Sequence, residues 1–216
     1  RKSKQSWASF GKPSNTLSDF LNSEEQVAAN MHEAETKQMP TFVDLCSSVG
    51  GFTIAAEGLG WIPVLSVDHC DSVRTWHYRN HSHEFMQADL TDTLQRTHLC
   101  QKIAGVGVVI CSPPCGPYSS AGRRMEGDSR GKVAEACTDV IVRTRPKLAV
   151  MESVRGFTSS KTCPVYRNTV LPALTNCGYS VAVVRSDAAQ CGVPSSRHRE
   201  WVVATLYQTP IHLKKH

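Results

Sequence analysis

The chain has 216 residues, of which 40% are hydrophobic and 20% are charged, as in a globular protein large enough to bury a core. It has no run of eighteen apolar residues, so we expect neither a membrane span nor a membrane partner, and its basic, polar start is unlike a signal peptide. The formal net charge of +5 indicates only a mild preference for polyanionic partners.

The nine cysteines are typical of a reducing compartment, since their number is odd and some lie inside apolar runs such as 108–111. A zinc site is the alternative to consider. Histidine and cysteine, which both bind zinc, lie close together in one segment, at His69, Cys70, His77, His81 and His83. Because the segment has no C-x-x-C pair, we interpret these side chains as solvated helix residues and predict no metal.

Residues 1–39 are polar and rich in Ser, Asn, Glu and Gln, which predicts an arm or linker. Within it, a short helix is expected over 24–29, with Ser23 as its cap. The remainder, 40–216, is expected to be one catalytic domain. The sequence starts without Met, as expected for a fragment or a processed piece.

From Pro40 onward, the pattern predicts strands that alternate with helices. The predicted strands are 41–45, 61–67, 85–87, 105–111, 148–151, 179–185 and 201–206. The predicted helices are 52–57, 71–79, 132–143 and 166–174. This alternation predicts an α/β fold with a mostly parallel sheet and helices on both faces.

Polar side chains lie at the carboxyl ends of five of these strands, namely Asp44, Asp68, Asp89, Cys115 and Glu152. In parallel sheets the carboxyl ends of the strands form the ligand site. The small-residue loop 44–51 enters a helix, so its backbone suits an anionic ligand, although a plain tight turn explains it equally well. Asp68 suits ribose hydroxyls and Asp89 a purine amino group, although each taken singly is more often a cap or turn residue.

Two prolines precede Cys115, and they hold its thiol in a strand-end loop, as a nucleophile requires. Glu152 follows a buried apolar strand, where a carboxylate is costly unless it is paired or acts as a general acid. Arg197 and Arg199 are two residues apart beside a strand, so both side chains are expected on one side, suited to a carbonyl, a carboxylate or a phosphate. An exposed strand-edge pair is the alternative interpretation of these arginines.

Taken in order, these segments resemble the cytosine-5 DNA methyltransferase family across roughly 40–206. Segment 44–52 is similar to the family's S-adenosylmethionine loop, D-L-F-x-G-x-G-G-F. Segment 112–119 is similar to the catalytic G-x-P-C-Q-x-F-S. Segments 152–157 and 192–199 match E-N-V-x-G-F and G-V-P-Q-x-R-x-R.

The resemblance implies a Rossmann-like S-adenosylmethionine-dependent fold and a reaction on carbon 5 of a cytosine flipped out of duplex DNA. It gives Cys115 the role of nucleophile at carbon 6, Glu152 that of engaging N3, and Arg199 that of holding O2, with Arg197 in support. It assigns the methyl donor to Asp44, Cys46, Ser48, Gly50, Gly51, Phe52, Asp68, His69, Asp89, Leu90 and Pro114. A mobile loop is implied over 116–131.

The sequence departs from the family pattern at Cys46, Ser48, Gly116, Ser153 and Ser195. It also ends at His216, without a recognisable target-recognition region or final motif. We therefore expect a truncated catalytic part whose target recognition comes from a missing segment or a partner chain.

Three alternatives remain beside a DNA enzyme. One branch of the family methylates a tRNA cytosine; a non-catalytic, methyltransferase-like regulatory subunit is the second. A nicotinamide-dependent dehydrogenase is disfavoured by the absent G-x-G-x-x-G. The expected compartment is the nucleus in a eukaryote and the cytoplasm in a prokaryote.

Overall fold

The computed structural model describes residues 39–115, 131–159 and 164–206. Seven strands are found there: β1 (Thr41–Leu45), β2 (Ile62–Asp68), β3 (Glu84–Gln87), β4 (Val108–Cys111), β5 (Leu148–Val154), β6 (Ser180–Asp187) and β7 (His198–Thr205). The α-helices are α1 (Gly51–Gly58), α2 (Asp71–Asn80), α3 (Thr93–Lys102), α4 (Gly131–Thr144) and α5 (Leu171–Asn176). A π-helical turn, Tyr166–Val170, leads into α5, and a 3-10 turn, Ala188–Cys191, follows β6.

All seven strands form one sheet in the order β3-β2-β1-β4-β5-β7-β6. The first five strands are mutually parallel, whereas β7 runs antiparallel to both of its neighbours. The predicted α/β fold with a mostly parallel sheet is therefore confirmed.

The central strands are nearly continuous apolar runs, because helices cover a parallel sheet on both faces. The larger core cluster contains side chains from α3, α4 and α5, and the smaller one packs α1 against Phe42, Val108 and Ile110. In α4, Ala134, Cys137 and Ile141 are fully or almost fully buried at helical spacing, which gives the helix its apolar stripe.

Helix α3 has no counterpart among the predicted elements. It begins at Asp92, whose carboxylate accepts hydrogen bonds from Leu94 N at 2.8 Å and Gln95 N at 3.0 Å. Its sequence is otherwise polar, and only Leu99 and Cys100 within it are buried. The capping residue Asp92 was the sequence signal from which this helix could have been predicted.

The predicted helix over 24–29 and nearly all of the predicted mobile loop lie outside the described residues.

Six of the seven strands have bounds different from those predicted, and the differences in β5 and β7 affect the candidate site. Strand β5 continues to Val154, so Glu152 lies within it instead of after it. Strand β7 begins at His198, earlier than expected. Both differences place predicted catalytic residues on regular strands, Glu152 on β5 and Arg199 on β7.

The interpretation of the histidines as solvated is wrong for two of them. His77 and His81 are only 3% and 9% exposed, and their rings lie edge-on or tilted against the His83 ring, at centroid distances of 4.5 and 5.5 Å. The four-residue spacing of His77 and His81, which places both on one helix face, was the overlooked signal. His69 is exposed, as predicted.

The eight cysteines within the described ranges are free thiols. None of the helices in this part of the chain is long and apolar enough to cross a bilayer.

Glu200 holds β7 against the turn that follows β5. Its carboxylate is 1% exposed and accepts hydrogen bonds from Arg185 Nε at 2.9 Å, Thr158 N at 3.1 Å and Gly156 N at 3.3 Å. Burial would raise the pKa of Glu200, but the bonds from Thr158 and Arg185 outweigh it and hold the pKa below its ordinary value. The ionised carboxylate is thus a paired, structural group.

We expect Glu200→Ala to lower the free energy of unfolding by about 3 kcal/mol, because it leaves buried donors without an acceptor. Urea denaturation, with the midpoint compared at an unchanged slope, measures this loss. The matched control is Glu135→Ala on the exposed side of α4, expected to change stability by less than about 0.5 kcal/mol. Equal losses in the two variants would contradict the bracing role.

Candidate active site

The loop after β1 has an unusual backbone. Cys46 and Ser48 both have positive φ angles, 56° and 48°, although neither is glycine. The left-handed region costs a side-chain-bearing residue about 1 kcal/mol. Ser48 N donates to Asp68 Oδ2 at 2.9 Å, a bond that helps hold the strained loop against the end of β2.

Gly50 has a φ of 82° and immediately precedes α1. A Cβ at this position would overlap the His81 ring, so only glycine fits. The sequence predicted that the loop backbone leaves room for a ligand here. At Gly50 that room is filled by a histidine of the same chain.

Asp68 braces this region through its backbone contacts. Besides Ser48 N, its carboxylate accepts a hydrogen bond from Cys70 N at 3.0 Å and lies 3.4 Å from the ring of His69. The turn-residue interpretation is therefore correct for Asp68, and it does not exclude ligand binding. Each carboxylate oxygen has a second lone pair that a ligand hydroxyl can use.

A first cavity of about 550 Å³ opens at the carboxyl ends of β1, β2 and β4. Seven of the eleven residues assigned to the donor line it: Cys46, Ser48, Asp68, His69, Asp89, Leu90 and Pro114. Apolar Val67, Ala88 and Val133 complete its wall, together with Thr91 and Ser112. The volume is in the range of small-molecule sites.

A second cavity, of about 570 Å³, is lined by three of the four residues predicted to be catalytic, whereas the fourth, Cys115, is not among the lining residues of either cavity. Glu152, Arg197 and Arg199 line it, as do Gly51 and Phe52, which were assigned to the donor. The two cavities share Cys46, Ser48 and Ser112 in their walls, so they adjoin.

Glu152 is the electrostatic centre of the second cavity. Arg199 Nε donates to Glu152 Oε1 at 2.6 Å, and Arg197 Nη2 lies 3.9 Å from the same oxygen. The two guanidinium groups thus converge on one carboxylate, as the two-residue spacing predicted. Arg199 is 20% exposed and Arg197 62% exposed.

Sequence reasoning missed several residues of the second cavity, among them Ser186, Cys191 and Trp201. Trp201 packs edge-on against Phe52 with ring centroids 5.5 Å apart. Since Trp201 is two residues beyond Arg199 on β7, strand alternation was the signal that places both on one face.

Cys115 is half-buried, four residues beyond β4 and at the last described position before residue 131. Its neighbour Pro114 lines the first cavity, and Ser112 lines both. Cys46 is a second thiol of this region, and it lines both cavities. Its hydrogen bond with Cys137 and its burial raise the pKa of Cys46 well above the ordinary value, so it is a poor nucleophile.

A profile of the family described as "C-5 cytosine-specific DNA methylase" matches residues 40–216. The chain belongs to this family. Its match covers all the described elements of the sheet and both cavities.

Individual methylase relatives agree with this assignment. The type II methyltransferase M1.HphI of Haemophilus parahaemolyticus is 36% identical over 171 residues, covering 74% of this chain and 44% of its own length. A human tRNA (cytosine(38)-C(5))-methyltransferase is 30% identical over 107 residues, covering 48% of this chain and 26% of its own. The chain spans about half the length, or less, of the curated methylases it matches.

The fold is shared with solved methyltransferase structures. The Entamoeba histolytica methyltransferase EhMeth superposes with a TM-score of 0.66 at 18% identity, over 83% of this chain and 57% of that one. The structural likeness supports the Rossmann-like methyltransferase fold predicted from the sequence.

Two residues assigned to the donor, Asp44 and Gly50, are not among the lining residues of either cavity. Asp44 is fully buried, and its Oδ2 accepts a hydrogen bond from Thr53 on α1 at 2.9 Å. Burial raises the pKa of Asp44 from 3.8 to about 7, despite the opposing bond to Thr53. The hydrogen bond from Thr53 therefore gives the Asp44 carboxyl a partner inside the protein core.

Asp44 makes stability depend on pH. Below about pH 4 the carboxyl is neutral in both states, whereas from pH 4 to 7 the unfolded chain loses the proton that the folded chain keeps. Stability is therefore lost as pH rises towards 7, by on the order of 4 kcal/mol in total. Asp44→Asn should remove this loss while keeping an acceptor for Thr53.

Unfolding free energies of wild type and Asp44→Asn, compared at several values from pH 4 to 8, test this dependence. The control is Asp71→Asn on the exposed start of α2, whose curve should run parallel to that of the wild type. A parallel curve for Asp44→Asn as well would refute the assignment.

Proposed function

We propose that this chain is the catalytic part of an S-adenosylmethionine-dependent DNA cytosine-5 methyltransferase with Cys115 as nucleophile. The observation that carries the proposal is the shared wall of the two cavities. One cavity has carboxylates and apolar walls, and the other has a carboxylate held between two arginines. Two adjoining sites suit direct transfer of a group between two ligands.

The first cavity fits the methyl donor. Val67, Ala88 and Leu90 offer an apolar surface for adenine, and Asp68 offers acceptors for ribose hydroxyls. Asp89 has one carboxylate oxygen engaged by Thr91 N and Thr91 Oγ1 at 2.9 and 2.7 Å, which leaves its other oxygen for an adenine amino group. When bound, the donor supplies an electrophilic methyl group.

The second cavity suits the target cytosine. Glu152 engages ring N3, which makes carbon 6 more electrophilic, and Arg199 holds O2 by a charge-assisted hydrogen bond. The Cys115 thiolate forms a bond to carbon 6, and carbon 5 would then take the methyl group, with the donor's sulfur–methyl bond broken and S-adenosylhomocysteine as the leaving group. Loss of the carbon-5 proton breaks the sulfur–carbon bond and restores the thiolate. Flipping the base out of the duplex costs a few kcal/mol, which contacts with the DNA must offset.

Target recognition needs contacts with the DNA beyond those that the two cavities make with a flipped base. The chain spans 44% of M1.HphI, so a further segment or a partner chain is proposed to supply target recognition. Base-specific contacts require side chains that reach the grooves, which strand-end loops alone rarely provide.

A tRNA cytosine is the second candidate substrate. The observation in its favour is the 30% identity with the human tRNA (cytosine(38)-C(5))-methyltransferase. DNA is preferred because the similarity to M1.HphI is higher and extends over 171 residues instead of 107.

The nucleophile is tested by trapping with a duplex that contains 5-fluorocytosine, together with S-adenosylmethionine. Fluorine at carbon 5 blocks the elimination, so the wild type should form an adduct stable to denaturation, and Cys115→Ala should form none. Cys177→Ala, a half-buried thiol after α5, is the control that should still form it.

The substrate is tested in the same experiment by replacing the duplex with tRNA that contains 5-fluorocytosine. An adduct with tRNA alone would move the assignment to the tRNA branch. An adduct that survives Cys115→Ala would overturn the mechanism.

Glu152→Gln should lower methyl transfer by at least about 100-fold, because the amide keeps the contact with Arg199 but has no proton to give to N3. S-adenosylmethionine affinity should change less than about twofold, since Glu152 lines the other cavity. Single-turnover methylation and calorimetric donor binding measure the two effects, and Glu135→Gln is the control. Full activity, or a parallel loss of donor affinity, would contradict this role.

A further inference from the structure

Three potential metal ligands converge behind the loop that follows β1. Glu57 lies near the end of α1, His81 directly follows α2, and His83 directly precedes β3. One ligand atom from each lies within 4.8 Å of the other two. None of the three side chains lines either described cavity, so the group is separate from the candidate active site.

His81 is buried with part of its hydrogen-bonding capacity unused. Its side chain is 2% exposed, and its Nδ1 lies 3.7 Å from Glu57 Oε2, too far for a hydrogen bond. Its Nε2 is buried against Gly50 and has no hydrogen-bond partner among the described residues. A buried polar group without a partner costs roughly 1–3 kcal/mol, so its retention calls for a ligand or a structural reason.

His83 is oriented by a neighbour and has one nitrogen to spare. Its Nε2 lies 2.8 Å from the hydroxyl of Ser66 on β2, whereas its Nδ1 is buried and lacks a hydrogen-bond partner in the described part of the chain. Ser66 lies in turn 3.4 Å from the hydroxyl of Thr53, which donates to Asp44. A ring fixed through one nitrogen is the usual arrangement of a histidine that binds metal through the other.

We infer that Glu57, His81 and His83 form a binding site for a divalent transition-metal ion of the zinc type. Two imidazoles and one carboxylate are a ligand set that zinc prefers, with water as the fourth ligand. Ligand atoms around tetrahedral zinc lie about 3.4 Å apart, so atoms that are within 4.8 Å of one another must approach by at most about 1.4 Å. The Glu57 side chain is 39% exposed and is free to make that movement.

The ion joins the end of α1 to the connection between α2 and β3. Because His81 packs directly against Gly50, this link also supports the loop that lines both cavities. The role is structural, since the ion lies behind the loop and not within a cavity.

The test uses the full chain stripped of metal by a chelator and titrated with Co²⁺ and then with Zn²⁺. One equivalent of Co²⁺ should produce visible d–d bands without the near-ultraviolet sulfur-to-cobalt charge-transfer band, which separates this site from the cysteines. Zn²⁺ should displace the bound Co²⁺ and raise the melting temperature of the protein.

Glu57→Gln and His83→Gln should each weaken Zn²⁺ binding at least about tenfold. The matched control is His98→Gln, an exposed histidine on α3, which should leave affinity within about twofold. Since Glu57 is partly exposed, its variant should fold even if a histidine variant does not. Absence of saturable binding, a dominant charge-transfer band, or equal affinity in wild type and Glu57→Gln would each overturn the site.

Discussion

The direction of β7 decides which side chains meet Glu152. Every strand before it is parallel, so their carboxyl ends share one edge of the sheet. β7 runs the other way, and it is its beginning that lies beside the end of β5, with Arg199 opposite Val154 and Trp201 opposite Glu152. Directly paired residues share a face, and Arg199 reaches Glu152 along the diagonal. A parallel β7 would place its arginines at the far edge.

The same register places the carboxylates of Glu152 and Glu200 on opposite faces of the sheet. Glu200 lies between Arg199 and Trp201, so strand alternation turns it to the opposite face, where it is paired opposite Ser153 and bonded to Arg185. Two carboxylates on adjacent strands thus have different surroundings. Glu152 faces a cavity with guanidinium groups, whereas Glu200 is enclosed and satisfied by backbone and side-chain donors.

Much of this arrangement could be predicted because its causes are local in sequence. Apolar runs identify β1 and β4, and polar residues at successive strand ends must come together once the strands are parallel. That is why seven assigned residues share one cavity. The exceptions depend on contacts distant in sequence. Asp44 on β1 is bonded to Thr53 on α1, and the space beside Gly50 is filled by His81, which no local pattern links to it. Helix α3 was missed because only two of its residues are buried.

The wall between the cavities has a thermodynamic consequence. Cys46, Ser48 and Ser112 line both spaces, and two of them have left-handed backbones that store conformational free energy. If a rearrangement of this wall on binding of one ligand alters the affinity for the other, linkage requires the effect to be reciprocal. Each ligand would then change the dissociation constant of the other by one and the same factor.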